Sequence, residues 1–439
     1  MNNWQKLLDT ARRTPPERDR YVDFLRLLAI LFVVTGHWLA LVVVVDAEGI
    51  RFDHLANVAP RSVWLSWLFQ VMSVFFFVGG YANSASWASA ARRRTSYAAW
   101  IGARLARLLI PVVPLLLFWV ALGIVAFASG VAPQSTIHAS QAALIPLWFL
   151  AVYIMVTLLT PLSLRLFRSI GLFSFWVLFA GAILVDLAAL AMSDLWVRWL
   201  NYGFIWLAVH QLGYAWRDGR LDSPGSRLAL VLAGTAGLAT FIGLLSYPVA
   251  MVSVPGEPVS NSRPPSAVLL ALGMIQIGIL VTLAAPIRRW LQRETLWAAV
   301  IAGNRVIMTV FLWHMTTRFA CIAASWLMLD GFGLTLSPGS AAWWWARLPW
   351  FAANGVVLAG VVAIMVRFEG MSKASGREGS PLVKVSGAVL ACLGLVFIAL
   401  GGLVSDAGIG VRLGPAATFF AGLLLAVNRE LRWWRRPPG

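Results

Sequence analysis

Residues 22–45, VDFLRLLAILFVVTGHWLALVVVV, form an apolar run of 24 positions in which only Asp23 and Arg26 carry a formal charge. About 20 apolar residues in a helix cross the ~30 Å of hydrocarbon in a bilayer. The run is too long for the hydrophobic stretch of a signal peptide, and no small-x-small cleavage site follows it. It therefore reads as a membrane helix. The rest of the chain repeats the pattern. Of 439 residues, 60% are hydrophobic and 12% charged, too few polar side chains to clothe a water-soluble protein of this size. The implied fold class is all-α, a polytopic transmembrane helix bundle.

Apolar runs of similar length recur at about 22–45, 63–82, 105–128, 147–166, 172–192, 199–216, 228–250, 267–286, 297–328, 343–366, 385–404 and 413–428. Basic residues test this register, because Lys and Arg collect in cytoplasmic loops. Counting Arg104 and Arg107 with the loop that precedes them, Arg165 with the loop that follows it and Arg347 with the loop before it, 26 of the 35 Lys and Arg lie in the two tails and the even-numbered connections, and 6 in the odd-numbered ones. Both termini are thereby expected in the cytoplasm, with the protein in the plasma membrane. The same rule accounts for the net charge of +17 without a nucleic-acid partner. Cys321 and Cys392 lie singly in apolar runs, so neither a disulfide framework nor a thiolate metal site is expected, and no metal is assigned.

The expected division is a basic cytoplasmic tail over residues 1–21, a ten-helix membrane domain over 22–366, a cytoplasmic linker over 367–384, a two-helix appendage over 385–428 and a basic tail over 429–439. The linker rests on the Ser, Gly and charge content of Phe368 to Pro381.

Ionisable side chains inside spans are costly and point to function. Arg26 and His37 stand eleven residues apart, three helical turns, so they share one face about 16 Å apart. An imidazole there suits a general base, since its neutral form is available near pH 7; the alternative is a packing histidine hydrogen-bonded to a neighbouring helix. Arg104 and Arg107 share a face entering the third span, and paired guanidinium donors suit phosphate. In the ninth span His314 and Arg318 are one turn apart. Counted along their helices, His314 and Asp186 reach a depth near that of His37, so the three either meet in one cavity or are each satisfied locally. His210, within the sixth span, has the same two readings.

These residues fall in motifs. RYVDFLRLLAILFVVTGHW at residues 20–38, FFFVGGY at Phe75–Tyr81, RLAR at Arg104–Arg107, LWFL at Leu147–Leu150 and FLWH at Phe311–His314 follow one another in an order that resembles the acyltransferase-3 family of integral membrane O-acyltransferases. Two positions depart from that pattern: Gly79-Gly80 replaces Ser-Gly, and Ile307-Met308 replaces Ser-Tyr upstream of His314. The resemblance covers about residues 20–366 and leaves the last two spans extra to a ten-helix core. It implies an acyltransferase that takes an acyl group, acetyl or another short chain, from cytoplasmic acyl-CoA to a hydroxyl of a cell-surface glycan, a lipid-linked sugar or a small metabolite. Acyl-CoA would act as donor substrate against Arg26, Arg104 and Arg107, with no permanently bound cofactor. His37 would take the hydroxyl proton, in direct transfer or by way of an acylated carrier, with His314 and Asp186 as further catalytic candidates. The rival reading is a transporter or exporter without acyl-transfer chemistry.

Overall fold

The computed structural model describes residues 3–15, 17–46, 49–130, 133–192, 195–329, 331, 333–370 and 379–427. In chain order the helices begin with α1 (Asn3–Arg12) and α2 (Arg20–Ala40), followed by a hairpin of β1 (Leu41–Asp46) and β2 (Gly49–His54). Next come α3 (Leu55–Val58), α4 (Leu65–Phe69), α5 (Met72–Arg92), α6 (Tyr97–Leu109), α7 (Val112–Ala128), α8 (Pro133–Leu144) and α9 (Leu147–Leu158). The chain continues through α10 (Thr160–Ile170), α11 (Phe173–Met192), α12 (Asn201–Arg217), α13 (Pro224–Leu238), α14 (Ala267–Thr282) and α15 (Ala284–Trp290). It ends with α16 (Glu294–Met328), α17 (Ala341–Gly370), α18 (Pro381–Gly401) and α19 (Leu413–Val427).

Among the described residues nine helices are long and apolar enough to cross a membrane, and ten if α14 and α15, bent by 51° at their junction, form one span. Ten of the twelve expected spans fall on these. The sixth and twelfth fall on α12 and α19, of 17 and 15 residues, which at ~1.5 Å per residue reach roughly 25 and 22 Å. The first span is shorter than its apolar run. It stops at Ala40 because Val42 to Val45 are four successive β-branched residues, stiff at χ1 and suited to a strand. They pair antiparallel with the return strand, Leu41 opposite His54 and Asp46 opposite Gly49. The expected N-terminal tail also contains structure. Helix α1 lies against the start of α16, through Arg12 Nε to Glu294 Oε2 at 2.9 Å and Trp297 Nε1 donating to Thr14 Oγ1 at 2.7 Å. Residues 371–378 of the expected linker and the tail 429–439 lie outside the described residues.

Two units make up the chain: Met1–Ser86 with Leu159–Ala359, and Trp87–Leu158 with Gly360–Gly439. In the first, α2 and α16 run side by side in the same direction. Asn304 Nδ2 donates to Asp23 O at one end (2.9 Å), and Trp38 Nε1 to His314 O at the other (2.8 Å). Glycines set the approach of α5 to α12, since a Cβ on Gly80 would collide with the His210 carbonyl oxygen and one on Gly213 with that of Phe77. Aromatic rings fill the flanks of this crossing, Phe76 stacked on Trp206 at 4.6 Å and Phe77 on Trp216 at 5.0 Å. Beyond the end of α2 the hairpin closes over a small core of Leu39, Val42, Leu55 and Trp343, with Phe69 and Phe351 against it.

In the second unit α18 packs along α9, α6 and α8, and α19 lies on α18. Gly387, Gly394 and Gly422 let the α18 and α19 backbones touch. Ser140 Oγ accepts from the amides of Leu403 and Val404 (2.9 and 3.2 Å), which fastens the turn after α18 onto α8. The unit boundaries fall inside α5, between α9 and α10 and inside α17. Helices α18 and α19 thus share a unit with α6 to α9, a different division from the sequence expectation of a ten-helix domain and a separate appendage.

Candidate active site

The site is built on the α2/α16 pair. Asp19 caps α2 by accepting from Tyr21 N at 2.9 Å, and in the first turn Asp23 binds Arg18 Nε at 2.6 Å and Arg26 Nη1 at 3.3 Å. Three turns on, His37 Nδ1 lies 2.8 Å from His314 Nε2, the two rings nearly parallel at 13° with centroids 5.1 Å apart. His314 is fully buried and its Nδ1 lies 2.6 Å from the Phe311 carbonyl oxygen. Its own carbonyl accepts from Trp38 Nε1 and from Thr317 Oγ1, each at 2.8 Å.

Those contacts assign the tautomers. A carbonyl only accepts, so Nδ1 of His314 carries the hydrogen, and in the neutral ring Nε2 is then an acceptor. His37 Nδ1 must therefore donate to it. The lone pair of His37 is left on Nε2, which has no hydrogen-bond partner among the described residues, and His37 itself is only partly buried. The arrangement is a base whose far nitrogen is held by a second imidazole, held in turn by a main-chain carbonyl.

Asp186 is placed otherwise. Its Oδ1 takes Arg198 Nε at 3.2 Å and Asn201 Nδ2 at 2.9 Å, and its Oδ2 takes the Ala267 amide at 2.8 Å. These bonds tie α11 to the starts of α12 and α14, and none reaches either histidine. Asp186 also lines a cavity of about 480 Å³ with Arg198, Tyr247, Asn57 and Glu257. Burial, then the Asp186 carboxylate, pushes the Tyr247 hydroxyl up to about 12. His210 is satisfied at both nitrogens, by Tyr214 Oη at 2.8 Å and Asn83 Nδ2 at 3.2 Å.

Of the candidate donor-binding arginines, Arg26 is partly exposed beside Asp23 in the first unit. Arg104 and Arg107 belong to α6 in the second. Arg104 lies over the Trp100 ring at 4.3 Å, and Arg107 is exposed. Sequence reasoning did not single out Arg347, which it counted with a loop. The side chain is instead buried on α17, over the Trp343 ring at 4.1 Å. Its position four residues after Trp343 and three before Trp350, on one helix face, is the pattern that identifies it.

Fold and site together define a polytopic helical membrane protein that holds an oriented pair of histidines between two helices. A family model described as an acyltransferase domain matches residues 19–367, and the chain belongs to the acyltransferase-3 family. It is similar to the nodulation protein NolL of Sinorhizobium fredii (strain NBRC 101917 / NGR234), 31% identical over 196 residues, 43% of this chain and 48% of NolL. The chain thus spans about half the length of that curated relative. No solved structure matches it.

Proposed function

We propose that this protein is an O-acyltransferase of the plasma membrane, with both termini cytoplasmic. It moves a short acyl group from acyl-CoA to a hydroxyl of a cell-surface glycan, a lipid-linked sugar or a small metabolite. The observation that carries the reading is the free Nε2 of His37, fixed as an acceptor by the bond from its Nδ1 to His314. In direct transfer the acceptor O–H gives its proton to His37 Nε2 as the oxygen attacks the thioester carbonyl. The C–S bond then breaks, and the proton passes from His37 to the departing thiolate. His314 orients the base and, once His37 is protonated, accepts from the imidazolium in a charge-assisted hydrogen bond. Arg26 supplies a guanidinium group for the phosphates of coenzyme A, with Asp23 orienting it, and the family resemblance gives Arg104 and Arg107, in the other unit, phosphate-binding roles of their own. Asp186, its oxygens already engaged, acts as a brace between helices rather than as an acid or base.

His37→Gln is the direct test, because Gln keeps hydrogen-bonding capacity but takes up no proton near neutral pH. Loss of a positioned base lowers rate by ~10²- to 10⁴-fold. The variant, purified in detergent, is expected to fold and bind acyl-CoA while transferring almost nothing. Turnover near that of the wild type would remove His37 from the mechanism. A wild-type protein that consumes no acyl-CoA would favour the transporter reading.

A further inference from the structure

One helical turn beyond the histidine pair lies a group of buried cations that the proposed chemistry does not use. Arg318, four residues after His314 on α16, is 1% exposed. Its Nη2 reaches the Leu41 carbonyl oxygen at 3.4 Å, so the guanidinium lies against the turn that follows His37. Its Nε and Nη1 are buried and have no hydrogen-bond partner among the described residues. The guanidinium stands 5.1 Å from the Trp350 ring, whose Nε1 is a third buried donor without an acceptor among the described residues. Arg347, 6% exposed, approaches the same ring at 6.0 Å, and among the described residues only its Nε is hydrogen-bonded, to the Trp343 carbonyl at 3.2 Å. Gly333 keeps the space beside the indole nitrogen open, since a Cβ there would stand 2.5 Å from Trp350 Nε1.

No carboxylate among the described residues pairs with either arginine; Asp330 lies outside them. Two like charges and three orphaned N–H groups in one apolar setting are costly, because each buried donor without a partner keeps its full desolvation penalty. Cation–π contact with Trp350 and Trp343 offsets part of the charge and supplies no acceptor for the N–H groups. What the cluster lacks among the described residues is anionic oxygen. Its place matters as much: one turn of helix is ~5.4 Å, so an anion held there lies within the length of a sugar ring from the histidines.

We propose that Arg318, Arg347 and Trp350 bind a carboxylate or phosphate carried by the acceptor, and so select acidic hydroxylated acceptors over neutral ones. The inference rests on the acyltransferase reading and adds the acceptor's charge to it. In this arrangement Arg318 and Arg347 are specificity residues, and the reacting hydroxyl is positioned for His37 by its distance from the anionic group on the same molecule.

The test compares matched acceptors with the purified full-length protein and acetyl-CoA: glucuronic acid against its methyl ester, and glucose 1-phosphate against glucose. The two pairs separate carboxylate from phosphate recognition. Hydrogen bonds to charged groups are worth enough to give the acid of at least one pair a roughly ten- to hundredfold higher kcat/KM. Arg318→Gln and Arg347→Gln are expected to reduce that ratio to near one, mainly by raising the KM of the charged acceptor. Equal rates on both members of both pairs in the wild type would overturn the proposal, whatever the folding of the variants. So would a preference that survives both substitutions. Folded protein that consumes no acetyl-CoA with any acceptor would instead sink the acyltransferase reading on which the proposal stands.

Discussion

Where a histidine's two ring nitrogens go decides what it can do, and this chain shows three answers. His210 spends both on Asn83 and Tyr214, so it holds helices together. His37 spends one and keeps a lone pair on the other, which is the condition for a base. His54 uses Nδ1 to accept from the Ala56 amide at 3.1 Å, capping the short helix α3 at the foot of the hairpin. Burial lowers the pKa of His54 below its ordinary value, against an opposing pull from Asp53. A histidine whose folded value is depressed contributes stability that is full above its unfolded value, ~6.5, and is lost as pH falls through the folded one. Protonation also turns Nδ1 from acceptor to donor and removes the cap. Asp53 stays ionised beside it: burial opposes this, but hydrogen bonds from Asn57 and the His54 amide and the Arg51 guanidinium outweigh burial. His54→Asn, a cap that does not titrate, is therefore expected to lose less thermal stability than the wild type between about pH 7 and about pH 5. The expected difference is about 1 kcal/mol, read from melting curves of both proteins. Parallel curves would show that His54 does not cap in its neutral form.

At the scale of elements, the α5/α12 crossing depends on two glycines, each facing a main-chain carbonyl of the opposite helix. Adding a methyl at Gly80 or Gly213 drives it into main-chain oxygen, which cannot move aside as a flexible side chain can. Overpacking of this kind costs about 1–3 kcal/mol. Gly80→Ala and Gly213→Ala should each lower the melting temperature and the yield of monodisperse protein. Gly203→Ala, on the same α12 but with open space around it, should not. Equal behaviour of all three would mean the helices do not approach closely. This crossing marks how far the sequence could be read. FFFVGGY was legible as a motif, with Gly79 as its departure from the family's Ser; what the motif did not tell is that Gly80, the position that keeps the family's residue, serves backbone contact with α12. Helices were legible from apolar run length throughout. The end of α2 was not, because run length treats Val42 to Val45 as more membrane helix, whereas β-branching makes them a strand. At the site, the depth count placed His37 and His314 at one level, and the structure joins them. The same count placed Asp186 there too, and depth alone says nothing of which face of the bundle a side chain meets. Arg198, Asn201 and the Ala267 amide claim it.

For the whole molecule the decisive property is which side of the membrane the histidine pair faces. Arg18, Arg20 and Arg26 crowd the start of α2, and His37 lies one turn from its other end, where the hairpin begins. If the start of α2 is cytoplasmic, the proposed donor, acyl-CoA, would approach the arginine end and the proposed acceptor would meet His37 from outside. The split of 26 basic residues against 6 is the ground for expecting that orientation, independently of any family likeness. Single cysteines test it directly, and the native pair, Cys321 and Cys392, is buried and should stay silent to a membrane-impermeant thiol reagent. In intact cells Ser135→Cys should label. Ser96→Cys, in the loop after Arg92 to Arg94, and Ser375→Cys, which lies outside the described residues, should resist until the membrane is opened. The two protected positions report on different stretches of chain, one before the third expected span and one after the tenth. Labelling of Ser375→Cys alone from outside would mean an odd number of crossings between them. Labelling of both, with Ser135→Cys protected, would invert the protein and put the histidine pair on the cytoplasmic side, where donor and acceptor would have to enter from the same face.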